Sequence, residues 1–214
     1  MSNVTDIWTA RSESSNNVII LPDGCRDLIV KTQDAGPSIW CVSPLFDHSQ
    51  SIHIQARTST LGFRLKPGVS VDANKLMTYM LTTRLDLDKL EEMLNDVSHL
   101  DACVEETLTG LAGDVTSVMH AASLLGLSTR SLQRLLIKKT NKSPSYWFQL
   151  ARIRKAAKDL TLSSPPIDVA DANGFSDQSH MCREFQRWFK MTPTHFANHP
   201  EFTDQLTCTG YALD

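Results

Sequence analysis

Two stretches in the second half of the chain decide its fold: AASLLGLSTRSLQRLLIKKTNKSP at residues 121–144 and IDVADANGFSDQSHMCREFQRWFKMTP at residues 167–193. They repeat one pattern, at an offset of 48 positions up to the residue after a central glycine and 49 positions further on. The matching pairs are Ala122 with Ala170, Gly126 with Gly174, Leu127 with Phe175, Leu132 with Met181, Arg134 with Arg183, Leu136 with Phe185 and Pro144 with Pro193. A repeat of this length predicts one supersecondary unit that occurs twice.

Each copy has the features of a helix, a tight turn and a second helix. The small alanine lets two helices cross closely, and Gly126 and Gly174 stand where the chain must reverse with positive φ. Ser128 in the first copy, and Ser176 or Asp177 in the second, can cap the following helix through a side-chain oxygen. The pattern therefore predicts two helix-turn-helix motifs, with two ordinary helical hairpins as the alternative.

The charge of the chain is divided between its two parts. The formal net charge is -3, but residues 126–192 hold 12 Lys and Arg against 5 Asp and Glu, a net of +7, and the remainder has a net of -10. This asymmetry predicts a polyanionic partner for the basic part only. An acidic N-terminal part that docks on the basic face would restrain that binding.

The second helix of each copy exposes side chains that suit DNA. Arg donates two hydrogen bonds to guanine, and Gln pairs with adenine, whereas cations further along a helix contact phosphates. Between the copies, residues 144–162 predict a helix about 28 Å long. This helix would hold apart the second helices of the two copies, called the reading helices below. They could then enter successive major-groove segments, which lie about 34 Å apart on one DNA face. A solvated charged face is the alternative for each residue taken singly.

Residues 116–197 resemble the DNA-binding domain of AraC/XylS-type transcriptional regulators. The most specific feature is the GF-x-D-x-SH-x-x-R-x-F pattern of residues 174–185, and LARIRKAA resembles the connecting helix of that family. The resemblance implies seven helices in two subdomains, binding to double-stranded promoter DNA, and contact with RNA polymerase. Carried over by alignment, the base-reading residues are Arg130, Gln133, Arg134, Gln178, Ser179, His180 and Arg183, and the DNA-backbone residues are Lys138, Lys139 and Arg187. Asn141 and Lys190 stand where the family usually has Gly after each recognition helix.

The first 70 residues predict about five short strands in a small sheet or partial barrel. The candidates are Val18–Leu21, Leu28–Val30, Ile39–Val42, Ile52–Ile54 and Thr60–Leu65, with Pro22-Asp23-Gly24 as a tight turn between the first two. PDGCRDLIV and GFRLKPG resemble the small β-rich N-terminal domain of one AraC-type subgroup, related to half of a cupin barrel. That resemblance implies sensing of an unidentified small-molecule effector or dimerisation.

Residues 71–112 predict acidic connecting helices with one apolar stripe, broken near Ser98. The stripe either packs on its own domain or forms the seam of a homodimer. The predicted fold class is therefore α+β: a β-rich, partly cupin-like domain at 1–70, the connector at 71–112, an all-α domain with two helix-turn-helix motifs at 113–200, and a tail at 201–214.

Other classes of protein lack support in the sequence. The chain has neither an apolar run of about 18 residues nor an apolar signal core, which predicts a cytoplasmic, nucleoid-associated protein. Five scattered cysteines predict buried, reduced thiols, and no cofactor, metal or catalytic residues are expected. The alternative to a transcriptional regulator is a sensor or protein-interaction module that has lost DNA binding.

Overall fold

The structure is a computed structural model that describes residues 2–34, 36–82, 87–162 and 164–213, with the backbone alone for residues 81–82, 87–89 and 91. The strands are β1 (Val4–Ser12), β2 (Asn16–Ile20), β3 (Arg26–Gln33), β4 (Ile39–Val42), β5 (Gln50–Ile54), β6 (Thr58–Leu65), β7 (Ser70–Val71) and β8 (Ser98–His99). The helices are α1 (Ala73–Thr82), α2 (Leu87–Val97), α3 (Ala102–Ala112), α4 (Val118–Leu124), α5 (Thr129–Thr140), α6 (Pro144–Thr161), α7 (Pro166–Ala172), α8 (Gln178–Phe189), α9 (Pro193–Ala197) and α10 (Pro200–Thr207).

The β-rich part consists mainly of a four-stranded antiparallel sheet in the order β1-β6-β3-β4 and a two-stranded pair of β2 with β5. All five predicted strands are present. The sequence prediction missed β1, an edge strand with no fully buried residue, because such a strand lacks a clear apolar alternation.

Residues 22–24 lie between β2 and β3, as predicted, but these two strands do not pair with each other. β2 pairs with β5, whereas β3 pairs with β4 and β6, so this segment carries the chain from one sheet to the other. Gly24 has φ +75°, and a Cβ there would lie 2.8 Å from Cβ of Tyr211 and 3.0 Å from the ring of Trp147. The glycine is needed because the turn docks directly against α6 and the C-terminal segment.

The predicted connector packs into two different cores. Its break near Ser98 is confirmed by β8, which separates α2 from α3. Five apolar residues of α1 and α2 are buried against Leu28 and Phe63 of the sheet, although Met77 of α1 is 63% exposed, whereas the buried residues of α3 lie in the helical core. These residues are Leu76, Leu90, Met93, Leu94 and Val97 in the first group and Val104, Leu108 and Leu111 in the second.

This burial settles the choice between the two interpretations of the apolar stripe. Leu94 is 1% exposed and Leu111 is also 1% exposed, so both contact their own chain. The structure therefore contradicts a homodimer seam through these residues. The side chains of Leu81, Asp88 and Glu91, which were also assigned to this region, lie outside the described part of the chain.

The helical core is built around α6. Trp147 and Leu150 of α6 are fully buried, and both copies of the repeat pack on this helix through residues such as Leu132 and Phe185. The predicted tail also belongs to this core, since Phe202, Leu206 and Tyr211 are buried in it. One apolar cluster thus joins both repeats, α3, α6 and α10.

The cysteines differ in part from the prediction of buried thiols. All five are free, but Cys25 alone among them is buried. Cys41, Cys103 and Cys208 are exposed, and Cys182 is half-buried.

Candidate nucleic-acid interface

The turn is the same in both repeats. Gly126 has φ +66° and Gly174 has φ +67°, and the amide that follows each glycine donates to the alanine carbonyl of the first helix at 2.9 Å. A Cβ built on either glycine would meet no atom within 4 Å. The requirement for glycine therefore comes from the left-handed backbone alone.

The reading helices begin at side-chain caps. The Ser128 hydroxyl accepts from the Ser131 amide at 3.1 Å, and the Asp177 carboxylate accepts from the His180 amide at 2.6 Å. Of the two predicted alternatives in the second repeat, the cap is thus Asp177 rather than Ser176. The amide donor holds the pKa of Asp177 below its ordinary value, so the cap is ionised at neutral pH.

The reading helices also end alike. Asn141 has φ +60° and ψ +21°, and Lys190 has φ +61° and ψ +23°. Both residues take the left-handed conformation that Gly usually supplies at this position. The two departures from the family pattern therefore leave the local backbone geometry in place, with Lys190 in a conformation that lysine rarely adopts.

Six of the seven predicted base-reading residues are exposed. Arg130, Gln133 and Arg134 lie exposed on α5, and Gln178, Ser179 and Arg183 lie exposed on α8. His180 differs because it is half-buried in the turn. Its Nδ1 lies 3.2 Å from the Ser176 hydroxyl and 3.3 Å from the Ser176 amide, and its ring packs edge-on against Phe175. His180, predicted to read a base, therefore closes the turn.

The predicted backbone-contacting residues are not equivalent. Among the described residues, no carboxylate lies within 4.0 Å of Lys138, whereas Lys139 pairs with Asp101 at 2.9 Å. Arg187 donates to the Gln149 side chain at 3.0 Å and lies 3.5 Å from the Glu184 carboxylate. Lys138 is thus the most available of the three for a phosphate.

Several cations of the basic segment serve the fold instead. Arg152 lies over the Phe175 ring at 4.6 Å, and Lys155 donates to the Ala112 carbonyl. Arg154, expected at the polar margin of the connecting helix, is 0% exposed and donates to the carbonyls of Tyr211 at 3.0 Å and Pro22 at 3.3 Å. Burial lowers the pKa of the Arg154 guanidinium. A count of charges along the sequence gave no sign of these roles.

The acidic N-terminal part leaves the reading positions open. Among the described residues, its ion pairs with the basic segment are Asp101 with Lys139 and Asp47 with Lys142, both at the C-terminal end of α5. The expectation that this part docks on the basic face is thus met only at that end, away from Arg130 and Arg183.

No three His, Cys, Asp or Glu side chains in the described ranges are grouped as a metal ion requires. No helix within those same ranges is long and apolar enough to cross a membrane.

Comparisons with known proteins agree with this geometry. Residues 121–199 match the family model described as "Helix-turn-helix domain". The HTH-type transcriptional regulator RipA of Corynebacterium glutamicum is 34% identical over 93 residues, which cover 44% of this chain and 28% of RipA. The chain thus spans less than a third of that curated relative.

Two bacterial proteins are among the solved structures to which this chain was matched. ToxT from Vibrio cholerae has a TM-score of 0.47 at 12% identity, over 95% of this chain and 98% of ToxT. An AraC-type regulator from Chromobacterium violaceum has a TM-score of 0.40 at 23% identity, over 50% of this chain and 95% of that one. With the paired turns, caps and helices described above, the match over residues 121–199 identifies this part of the chain as a helix-turn-helix domain.

Proposed function

We propose that the protein is a sequence-specific DNA-binding transcriptional regulator that places α5 and α8 in successive major-groove segments of promoter DNA. The observation that carries the proposal is that two matching reading helices, packed on one connecting helix, both present exposed arginine and glutamine side chains. These are the side chains that form paired hydrogen bonds with guanine and adenine. One chain would then read two half-sites without dimerising.

The proposed contacts divide into two groups. Arg130, Gln133 and Arg134 read one half-site, and Gln178, Ser179, His180 and Arg183 read the other. Lys138 is the principal phosphate contact because no carboxylate of the described residues pairs with it. Lys139 and Arg187 contact phosphates only if Asp101 and Glu184, their present partners, release them.

The role is non-enzymatic and is exercised on DNA in the cytoplasm. RNA polymerase is the proposed second partner, since a regulator bound at a promoter acts on transcription. Homodimerisation, if it occurs, uses a surface other than the buried stripe of α2 and α3. No effector is assigned to the β-rich part.

Fluorescence anisotropy with a duplex selected from a random library, and with a scrambled duplex of equal length, tests the proposal. We expect binding to the selected duplex to be at least about 10³-fold tighter. The logarithm of affinity should fall steeply with the logarithm of salt concentration, by about 0.9 for each phosphate that the protein neutralises. Equal affinity for both duplexes would contradict sequence-specific binding.

A further inference from the structure

The loop between β4 and β5, residues 43–49, contacts three parts of the double helix-turn-helix domain: the segment after α5, the start of α6 and the end of α8. Lys142, directly after α5, pairs with Asp47 at 2.6 Å. In the first turn of α6, the Tyr146 hydroxyl donates to the Phe46 carbonyl at 2.9 Å. At the end of α8, the Trp188 carbonyl accepts from the Ser49 amide at 2.8 Å. A single loop of the β-rich part therefore joins the C-terminal ends of both reading helices.

The loop is itself held firmly at its base and its centre. The Ser43 amide donates to the Asp27 carbonyl at 2.8 Å, and the Ser43 hydroxyl accepts from the Asp27 amide at 2.7 Å. Leu45 is buried in the same apolar cluster as α6. A displacement of the loop would thus disturb both the sheet and the helical core.

A second attachment fixes the β-rich part further along α6. Arg154, eight positions after Tyr146 and so about 12 Å away along the helix, holds the Pro22 carbonyl. Next to it, Asp23 pairs with Arg64 at 2.9 Å, and the Asp23 carbonyl accepts from the Tyr211 amide at 2.9 Å. Two attachments at separate points of α6 prevent the β-rich part from sliding or rotating on that helix. This second attachment unites the two sequence motifs PDGCRDLIV and GFRLKPG.

We propose that loop 43–49 is a brace that fixes the position of α8 relative to α5 and so sets the spacing between DNA half-sites that the protein accepts. This inference rests on the proposed function. Asp47, Tyr146 and Ser49 are positioning residues, because each acts on DNA binding only through the reading helices. Loss of the brace should relax the spacing requirement and leave the preference for bases within each half-site unchanged.

The test compares a variant that lacks the brace contacts with a chemically matched control. Asp47→Ala/Tyr146→Phe/Ser49→Pro removes the carboxylate, the phenol and the amide donor of the loop contacts. Asp96→Ala/Tyr79→Phe removes a carboxylate and a phenol that bond to each other at 3.0 Å between α1 and α2. Should the proline substitution unfold the chain, the double variant Asp47→Ala/Tyr146→Phe carries the same test.

The readout is the affinity for duplexes whose half-sites are separated by one base pair more or one base pair fewer than in the selected duplex. We expect the altered spacing to reduce the affinity of the wild type and the control about tenfold or more, and that of the brace variant less than about threefold. Single-base changes within a half-site should cost all three proteins the same. An unchanged spacing dependence in the brace variant, or an equal relaxation in the control, would overturn the proposal.

A second readout needs no DNA. Spin labels carried by unnatural amino acids at the exposed positions Ile137 and Gln186 report the separation of α5 and α8. We expect a broader distance distribution in the brace variant than in the wild type, and an equal width would refute the brace. If the wild type selects no duplex, the proposed function fails on its own and this distance still decides the inference.

Discussion

The two helix-turn-helix units share a backbone but differ in how they are packed. Both have a left-handed glycine in the turn and a left-handed residue after the reading helix. Around this common frame, the first unit packs aliphatic residues such as Leu132 and Leu136. The second buries the aromatic rings of Phe175, Phe185 and Phe189. The rings of Phe185 and Phe189 contact each other and Phe196, and Trp188 contacts Tyr146 of α6. The comparison teaches that turn and cap residues fix the motif, whereas many combinations of apolar side chains can fill it.

The reading surfaces differ as well. α5 presents Arg130, Arg134 and Lys138, and no carboxylate of the described residues lies within 4.0 Å of any of them. On α8, Arg187 lies 3.5 Å from Glu184, and the charge of Arg183 acts on nearby Asp177. We therefore expect the first unit to contribute more of the salt-dependent affinity and the second to depend more on hydrogen bonds to bases.

The largest expected effect tests whether the two units, despite different packing, share one core. Phe185→Ala in the second unit should cost about 4 kcal/mol of unfolding free energy, and Leu132→Ala in the first about 3 kcal/mol, because both side chains are 0% exposed. Since one cluster joins both units, each variant should unfold in a single transition, followed by fluorescence of the buried Trp147 and Trp188 in denaturant. Two separate transitions would show that the units are independent.

The next effect distinguishes the half-sites. Arg134 and Arg183 occupy equivalent positions of the repeat, so Arg134→Ala and Arg183→Ala should each cost about 1 to 3 kcal/mol of binding free energy. Each loss should be confined to one half-site, and it would be measured by titrating duplexes in which one half-site at a time is scrambled. A loss that is equal on all sequences would mark that arginine as a phosphate contact.

A smaller effect tests the shared backbone. Gly126→Ala and Gly174→Ala should each cost about 1 to 2 kcal/mol of unfolding free energy, because alanine is strained at positive φ although its Cβ meets nothing within 4 Å. Gly126→Asn and Gly174→Asn are the controls and should cost less, since asparagine tolerates this conformation. Chemical denaturation measures all four variants. A much larger cost at one glycine would show that the two turns are not equivalent.

The smallest effect separates two neighbouring lysines of α5. Lys138→Ala should reduce the slope of log affinity against log salt by about 1, because Lys138 is available to a phosphate. Lys139→Ala should change the slope less, since Lys139 pairs with Asp101 at 2.9 Å. Anisotropy titrations at several salt concentrations measure both slopes. A larger change for Lys139 would mean that Asp101 releases it on DNA.

The sequence predicted the parts of the fold that depend on local chemistry. Gly126, Gly174 and Ser128 need particular backbone angles or hydrogen-bond partners within a few residues, so their types reveal their positions. The positions of Asn141 and Lys190 after the two helices came from the family resemblance instead, and the structure shows the left-handed conformation at both.

The remainder depends on contacts between distant segments. In the sequence Arg154 looks like a surface cation of its helix. Its burial is made possible by the carbonyls of Pro22 and Tyr211, which accept hydrogen bonds from it, and by the nearby charge of Asp23. Strand β1 mixes half-buried and exposed residues because it lies at the edge of the sheet, where only one of its two sides pairs with another strand. The contacts of loop 43–49 likewise join residues about a hundred positions apart, for which a single sequence carries no signal.

The most direct test of the central claim is a selection of bound duplexes from a random library with the wild-type chain. The claim is that both units read DNA, each at its own half-site. We predict an enriched motif of two parts about one helical turn apart, of which Arg134→Ala weakens one part and Arg183→Ala weakens the other. A motif of one part only, or no enrichment over random DNA, would contradict the claim.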